Sequence, residues 1–292
     1  MTKRKKNTLW KILLGTVCLL IVVYASTSTY LWAKQENFIF RPKRSITKTP
    51  GDYQLPFEDV YINVDNGSGQ SERIHAWWIP AENRSDRCLI YLHGSALNIQ
   101  SNITHAKRFY RMGFSVLLVS YRGYGKSDGA FPSEANVYAD ARSAWNYLVD
   151  QKGFKDQNIF IYGHSLGGAV AIQLALTHPD AGGVIVESTF TSIADMARQI
   201  PKYRIFPLDL LVHQRFDSIS KVGRLQIPVL YIHGTADTYV PPEMSRKLYD
   251  HTASDKRIKL IDGGGHNNSA HVGGAEYLQA VRDFIDFSLK AK

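Results

Sequence analysis

Residues 159–170 read Ile159-Phe160-Ile161-Tyr162-Gly163-His164-Ser165-Leu166-Gly167-Gly168-Ala169-Val170. The first four are a short apolar run suited to a buried strand, and Ala169 to Leu176 reads as an apolar helix with Pro179 beyond its end. Gly-x-Ser-x-Gly joins the two. A strand that turns this sharply into a helix holds the corner residue in a strained backbone conformation and lifts its side chain above the sheet edge. Side chains two positions to either side would collide there, which explains Gly163 and Gly167. The helix N-terminus then faces any negative charge that develops at Ser165.

On both sides of this elbow, short apolar runs alternate with longer periodic ones, the signature of a mostly parallel sheet covered by helices. Strands are predicted at Leu89–Leu92, Val116–Val119, Ile159–Tyr162, Val184–Val186, Val229–Ile232 and Ile258–Ile261. Tyr61–Val64 and Ile74–Ile79 are expected as an opening antiparallel pair, with Asn66-Gly67-Ser68-Gly69 as its turn. Leu278, Val281, Ile285 and Leu289, widened by Phe284, mark a final amphipathic helix. The expected architecture is α/β: an α/β-hydrolase fold with an eight-stranded sheet and helices on both faces. Thr189 to Gln226, about 189–226, is too long for a plain connection and carries Pro201 and Pro207, so a small lid is expected there. Its apolar residues Ile205, Phe206, Leu208, Leu210, Leu211 and Val212 either line an acyl channel, touch a bilayer, or pack the lid onto the core.

A serine hydroxyl needs a base to take its proton and an acid to orient that base. With the elbow in this fold the chain order is serine, acid, histidine. Asp237 follows the Val229–Ile232 strand and His266 follows Ile258–Ile261, so Ser165, Asp237 and His266 are the candidate catalytic residues. Glu187 is the substitute acid and His271 the substitute base; His251 reads as a surface residue and Asp262 as a cap on a glycine turn. The candidate oxyanion hole takes the backbone N–H of Leu166 and that of Ser95, in the His93-Gly94-Ser95-Ala96 loop. His93 is read as ordering that loop, and Arg122 and Tyr124 as anchoring a glycine-rich one. No metal or cofactor is required, and with no Gly-x-Gly-x-x-Gly opening a helix a dinucleotide site is not expected. The two cysteines, Cys18 and Cys88, offer neither a disulfide framework nor a zinc site.

The chain has 292 residues and a net charge of +9, but its basic residues gather near the N-terminus. Lys3 to Lys6 precede an uncharged apolar segment, Ile12 to Ala33, and Arg41, Lys43, Arg44 and Lys48 follow it. This placement suits anionic lipid headgroups and not nucleic acid. About 20 apolar residues cross a bilayer as a helix, so 12–33 is expected as a signal-anchor between a basic tail (1–11) and a basic linker (34–56), with the catalytic domain at 57–292. The basic tail favours a cytoplasmic N-terminus and a domain on the far side. Cleavage after Val23-Tyr24-Ala25, releasing a soluble exported protein, is the alternative. The oligomeric state is left open.

Tyr121-Arg122-Gly123-Tyr124-Gly125-Lys126-Ser127-Asp128-Gly129, Pro132-Ser133-Glu134, the elbow, Glu187-Ser188-Thr189-Phe190-Thr191-Ser192 and Gly264-Gly265-His266-Asn267 together resemble the membrane-tethered BEM46-like branch of the α/β-hydrolases. The resemblance spans roughly 53–289 and implies a relay of Ser165, Asp237 and His266. Known members include single-pass proteins and enzymes that remove palmitoyl groups from protein cysteines, so it implies hydrolysis of carboxylic ester or thioester bonds, of acyl-ester, lysophospholipid or acyl-protein type, at a membrane surface. Ser95 stands where the branch usually has Asn, which leaves the N–H donor in place. The rivals are a serine peptidase of the prolyl-aminopeptidase type, which needs an acidic pocket for the substrate amine, and a non-catalytic membrane scaffold that retains the fold.

Overall fold

The computed structural model describes residues 3–65, 71–83, 85–129 and 131–290; the turn expected at Asn66–Gly69 lies outside them. Ten strands are present among the described residues: β1 (Arg41–Pro42), β2 (Glu58–Asp65), β3 (Ser71–Ile79), β4 (Cys88–Leu92), β5 (Ala96–Leu97), β6 (Ser115–Ser120), β7 (Ile159–His164), β8 (Gly183–Glu187), β9 (Val229–Gly234) and β10 (Lys256–Ile261). The helices are α1 (Lys3–Ala33), α2 (Gln35–Ile39), α3 (Ile103–Arg111), α4 (Glu134–Asn146), α5 (Leu166–Thr177), α6 (Ile193–Gln199), α7 (Leu208–Leu211), α8 (Ile219–Val222), α9 (Pro242–His251), α10 (Ser269–Val272) and α11 (Gly274–Lys290).

Eight strands form one sheet in the order β10-β9-β8-β7-β4-β6-β3-β2. β2, β3 and β6 pair antiparallel and the rest parallel, so all eight strands expected from the apolar runs are found in one sheet. Because a strand points successive side chains to opposite faces, β7 feeds both cores: Ile159 and Ile161 pack with α4, α5 and α9, while Phe160 and Tyr162 pack with α3 and α11. β7 is central and its C-terminal end carries Ser165, which places the elbow at the middle of the sheet edge. In α11, Val281, Phe284 and Ile285 are buried as the periodicity requires, whereas Leu289 stays exposed near the chain end.

α1 begins at Lys3, upstream of the expected start at 12, because lysine and arginine are good helix formers and extend the apolar helix into the basic tail. Its segment Asn7–Ala33 is long and apolar enough to cross a membrane, and no residue of its most apolar window is buried. The expected linker 34–56 is a correction. Phe40 is buried in the core, β1 pairs with β5, and Pro50–Tyr53 form a 3-10 turn closed by a Thr49–Asp52 capping box. The segment is ordered by contacts with residues remote in sequence, which its composition does not reveal.

The loop after β6 is anchored by charge. Arg122 Nε donates to Asp140 Oδ1 at 2.7 Å and Nη1 to Glu72 Oε2 at 2.9 Å, while the Arg122 N–H donates to Asp140 Oδ2 at 2.8 Å. Both Arg122 and Asp140 are buried. Removing one partner of a buried pair strands the other charge at a cost of about 3–5 kcal/mol. Arg122→Ala is therefore expected to lower stability by that amount, measured as a shift in the urea unfolding midpoint; a midpoint close to wild type would contradict the pairing.

Candidate active site

Ser165 has φ 54° and ψ −121°, a left-handed conformation that side chains rarely adopt. Its N–H donates to the Glu187 carbonyl at 2.9 Å, and its carbonyl accepts from the Gly168 N–H and the Thr189 hydroxyl, both at 2.9 Å. These bonds hold the strain. A Cβ at Gly163 would stand 2.1 Å from the Gly167 oxygen, and one at Gly167 would stand 2.1 Å from the Leu92 oxygen, so both glycines are required by close approach.

The three expected side chains converge. His266 Nε2 lies 3.0 Å from Ser165 Oγ, and His266 Nδ1 lies 2.8 Å from Asp237 Oδ2. Asp237 is held from every side: Oδ1 accepts the N–H groups of Tyr239 (2.8 Å) and Val240 (2.9 Å), and Oδ2 is also 3.1 Å from His233 Nε2. Burial works against its charge, but the hydrogen bonds from His233, His266 and Val240 outweigh burial and hold the carboxyl well below the usual range. An ionised acid behind His266 favours the tautomer with a proton on Nδ1, leaving Nε2 free to accept from the serine.

The substitutes sit elsewhere. Glu187 is buried and accepts from the Tyr162 and Tyr277 hydroxyls, each at 2.7 Å, with no contact to His266. His251 and His271 are exposed, and Asp262 accepts from the Thr235 hydroxyl at 3.0 Å, closing the glycine turn. His93 is buried, its Nδ1 lies 2.6 Å from the Gly94 carbonyl, and burial pushes its pKa down to about 4. It orders the loop, as expected.

Four further residues support this constellation: sequence reasoning passed over His164, His233 and Tyr121, and read Tyr124 only as anchoring its own loop. His164, the variable position of the elbow, uses Nε2 to hold the His266 carbonyl at 2.8 Å. His233, four positions before Asp237 on β9, braces the acid and is itself fixed by the Ser245 hydroxyl at 2.7 Å. Tyr121 donates its hydroxyl to the His93 carbonyl at 3.2 Å, and Tyr124 donates to the Ser95 carbonyl at 2.6 Å. The glycine-rich loop after β6 thus holds the loop that carries Ser95. Their only local signal is position beside an expected catalytic segment. Tyr124→Phe is expected to lower kcat about tenfold with little change in KM, because one hydrogen bond positioning the oxyanion loop is lost; an equal fall in the stability-corrected rate and in substrate affinity would argue against that role.

Ser165 and His266 open into a cleft of about 640 Å³, within the usual range for small-molecule sites. Gly94, Ser95, His105, Tyr239 and Arg41 line it. A Cβ at Gly94 would meet Ser165 Cβ at 3.4 Å, so the Gly94–Ser95 loop lies directly over the serine. No aspartate or glutamate is among the described lining residues, nor is any residue of 189–226. The lid instead meets α1 and α2. The Tyr24 hydroxyl donates to the Ile205 carbonyl at 3.0 Å, its ring stacks on Phe206 at 5.2 Å, and Gln35 Nε2 donates to the Leu211 carbonyl at 2.6 Å. Of the apolar lid residues, Leu208 and Val212 are buried while Ile205 and Leu210 are exposed. An acyl channel built by the lid over Ser165 is not what this arrangement provides.

The family model described as serine aminopeptidase S33, Hydrolase_4, matches residues 83–216 and 212–269. The chain belongs to this α/β-hydrolase family. It is similar to the membrane protein YNL320W of Saccharomyces cerevisiae, 33% identical over 95% of this chain and 98% of that one. It is also similar to protein bem46 of Schizosaccharomyces pombe, 30% identical over 88% of this chain and 87% of the relative, in keeping with the resemblance drawn from the motifs. Among solved structures, the Pyrococcus furiosus esterase Pf2001 shares the fold, with a TM-score of 0.70 and 20% identity over 85% of this chain and 97% of that one.

Proposed function

We propose that this family member is a serine hydrolase, held at a membrane by α1, that cleaves carboxylic ester or thioester bonds through an acyl-enzyme on Ser165. The carrying observation is the relay itself: a strained serine at a sheet edge, 3.0 Å from an imidazole that is 2.8 Å from a buried carboxylate. In the reaction, His266 Nε2 takes the Ser165 proton as Oγ attacks the acyl carbonyl. The Ser95 and Leu166 N–H groups would carry the oxyanion, with the positive end of α5 behind Leu166. His266 then gives the proton to the departing alcohol or thiol. Water, deprotonated by the same imidazole, attacks the acyl-enzyme and releases the acid.

The peptidase rival is weakened by the cleft. An aminopeptidase must pair the substrate's ammonium group with a carboxylate, whereas the lining described here offers Arg41 and no acid. A scaffold would have no reason to keep Asp237 fully hydrogen-bonded behind a histidine in reach of a strained serine. Anchoring is supported over signal cleavage by Tyr24: cutting after Ala25 would remove its stacking and hydrogen bond to the lid. The orientation proposed is a cytoplasmic N-terminus with the domain on the far side, following the basic tail.

The test is a panel of p-nitrophenyl esters of increasing acyl length, run on the full chain beside a fluorophosphonate probe. Ester turnover that the probe blocks is expected. A folded protein that neither turns over any ester nor takes the probe would leave only the scaffold standing.

A further inference from the structure

The arm that joins α1 to the catalytic domain reaches the cleft. The Arg41 N–H donates to the Ser95 carbonyl at 2.8 Å and the Lys43 N–H to the Leu97 carbonyl at 3.0 Å, and the ladder sets Arg41 opposite Ala96. Asn98 Nδ2 donates to the carbonyls of Lys43 (3.0 Å) and Ser45 (2.8 Å), and the Gly125 N–H donates to Lys43 at 3.0 Å. The Arg44 guanidinium is occupied by the carbonyls of Ser127 and Gly129. Arg41 is thus fixed by its backbone to the loop that carries the candidate oxyanion donor, while its side chain is exposed.

Arg41 is the cation of the cleft. Three imidazoles also line the wall: His266 is engaged by Asp237, His164 is buried and His105 is partly buried, and burial pushes His105 down to about 4 and lowers His164 as well. No described acid lines the cleft to offset the guanidinium, and among the described residues that group forms no ion pair, in contrast to Arg73, Arg122 and Arg198. The ionised Asp237 lies behind His266 and off the wall, so the charge that the described lining presents to a substrate is positive and favours a substrate that brings a negative one.

We propose that Arg41 binds a phosphate carried on the alcohol side of the scissile ester, the group a lysophospholipid presents. This rests on the hydrolase reading above and makes Arg41 a specificity residue, not a catalytic one. The phosphate is favoured because only α2 separates Arg41 from the end of the apolar helix at Ala33, and a helix that crosses a bilayer ends among lipid headgroups. The planar guanidinium matches a phosphate in two-pronged hydrogen bonding.

The test compares kcat/KM of the full chain in neutral-detergent micelles on 1-lauroylglycerol 3-phosphate and on 1-lauroylglycerol, which differ only in the phosphate. Wild type is expected to prefer the phosphate ester by about tenfold or more, as a charge-assisted hydrogen bond warrants. Arg41→Gln is expected to bring the ratio near unity, Arg41→Lys to keep part of it, and Arg41→Glu to invert it. A variant that folds poorly lowers both rates and leaves the ratio to report on the active fraction. Equal wild-type rates, or an Arg41→Glu ratio like wild type, would overturn the proposal. So would a charge preference confined to the acyl side, seen with 4-nitrophenyl hydrogen glutarate against 4-nitrophenyl valerate. Fluorophosphonate labelling without turnover of the phosphate ester removes the Arg41 assignment alone; absence of labelling removes the hydrolase reading with it.

Discussion

Ser165→Ala is expected to lower the rate of ester hydrolysis by about 10⁵–10⁶-fold and to abolish fluorophosphonate labelling. The size follows from what the relay does as a unit: without Oγ there is no acyl-enzyme, and His266 and Asp237 have no proton to move. What remains is whatever the oxyanion donors give to direct attack by water, typically about 10³–10⁴-fold over solution. Alanine keeps the Cβ and the backbone bonds to Glu187 and Gly168, so the variant should melt near wild type. Thermal unfolding beside the rate measurement separates lost chemistry from lost fold. Labelling that persists in Ser165→Ala would move the nucleophile elsewhere.

The elbow and the eight strands were legible because each is encoded locally. Ile159 to Tyr162 must be apolar on both faces to sit at the sheet centre, and Gly163 and Gly167 must lack side chains whatever lies elsewhere. Asp237 and His266 were legible by order, since each follows a strand whose C-terminal end lies on the edge that carries Ser165. The juxtamembrane arm was not. Its place depends on Ser95, Leu97 and Asn98, far along the chain, and nothing in Arg41-Pro42-Lys43 distinguishes a two-residue ladder from a linker. Likewise Tyr124 reads as a loop anchor from sequence, while only the fold reveals that its anchor point is the Ser95 carbonyl. The lid length was legible but not its direction, because contact with Tyr24 of α1 and Gln35 of α2 is a tertiary choice.

Asp237→Asn is expected to reduce kcat by about 10⁴-fold, while Glu187→Gln leaves catalysis near wild type. Glu187 ends β8 and Asp237 lies in the loop just after the adjacent β9, on the same sheet edge, and the sequence alone ranks them only by order. Geometry separates them. Asp237 Oδ2 is 2.8 Å from His266 Nδ1, whereas the Glu187 carboxylate accepts from two tyrosine hydroxyls beneath the elbow. An asparagine at 237 presents an amide that can donate towards Nδ1, which favours the tautomer carrying its proton on Nε2 and blocks proton acceptance from Ser165. The same carboxylate leaves a thermodynamic mark. Its pKa is depressed in the folded state, so its stabilising contribution is present above the unfolded carboxyl value of about 3.9 and is lost as pH falls below it. Asp237→Asn should therefore flatten the acid limb of the stability curve as well as the rate, and Glu187→Gln should cost stability through its two tyrosine bonds without touching the relay. If instead Glu187→Gln proved the inactive variant and Asp237→Asn the active one, the acid of the relay would have been misassigned.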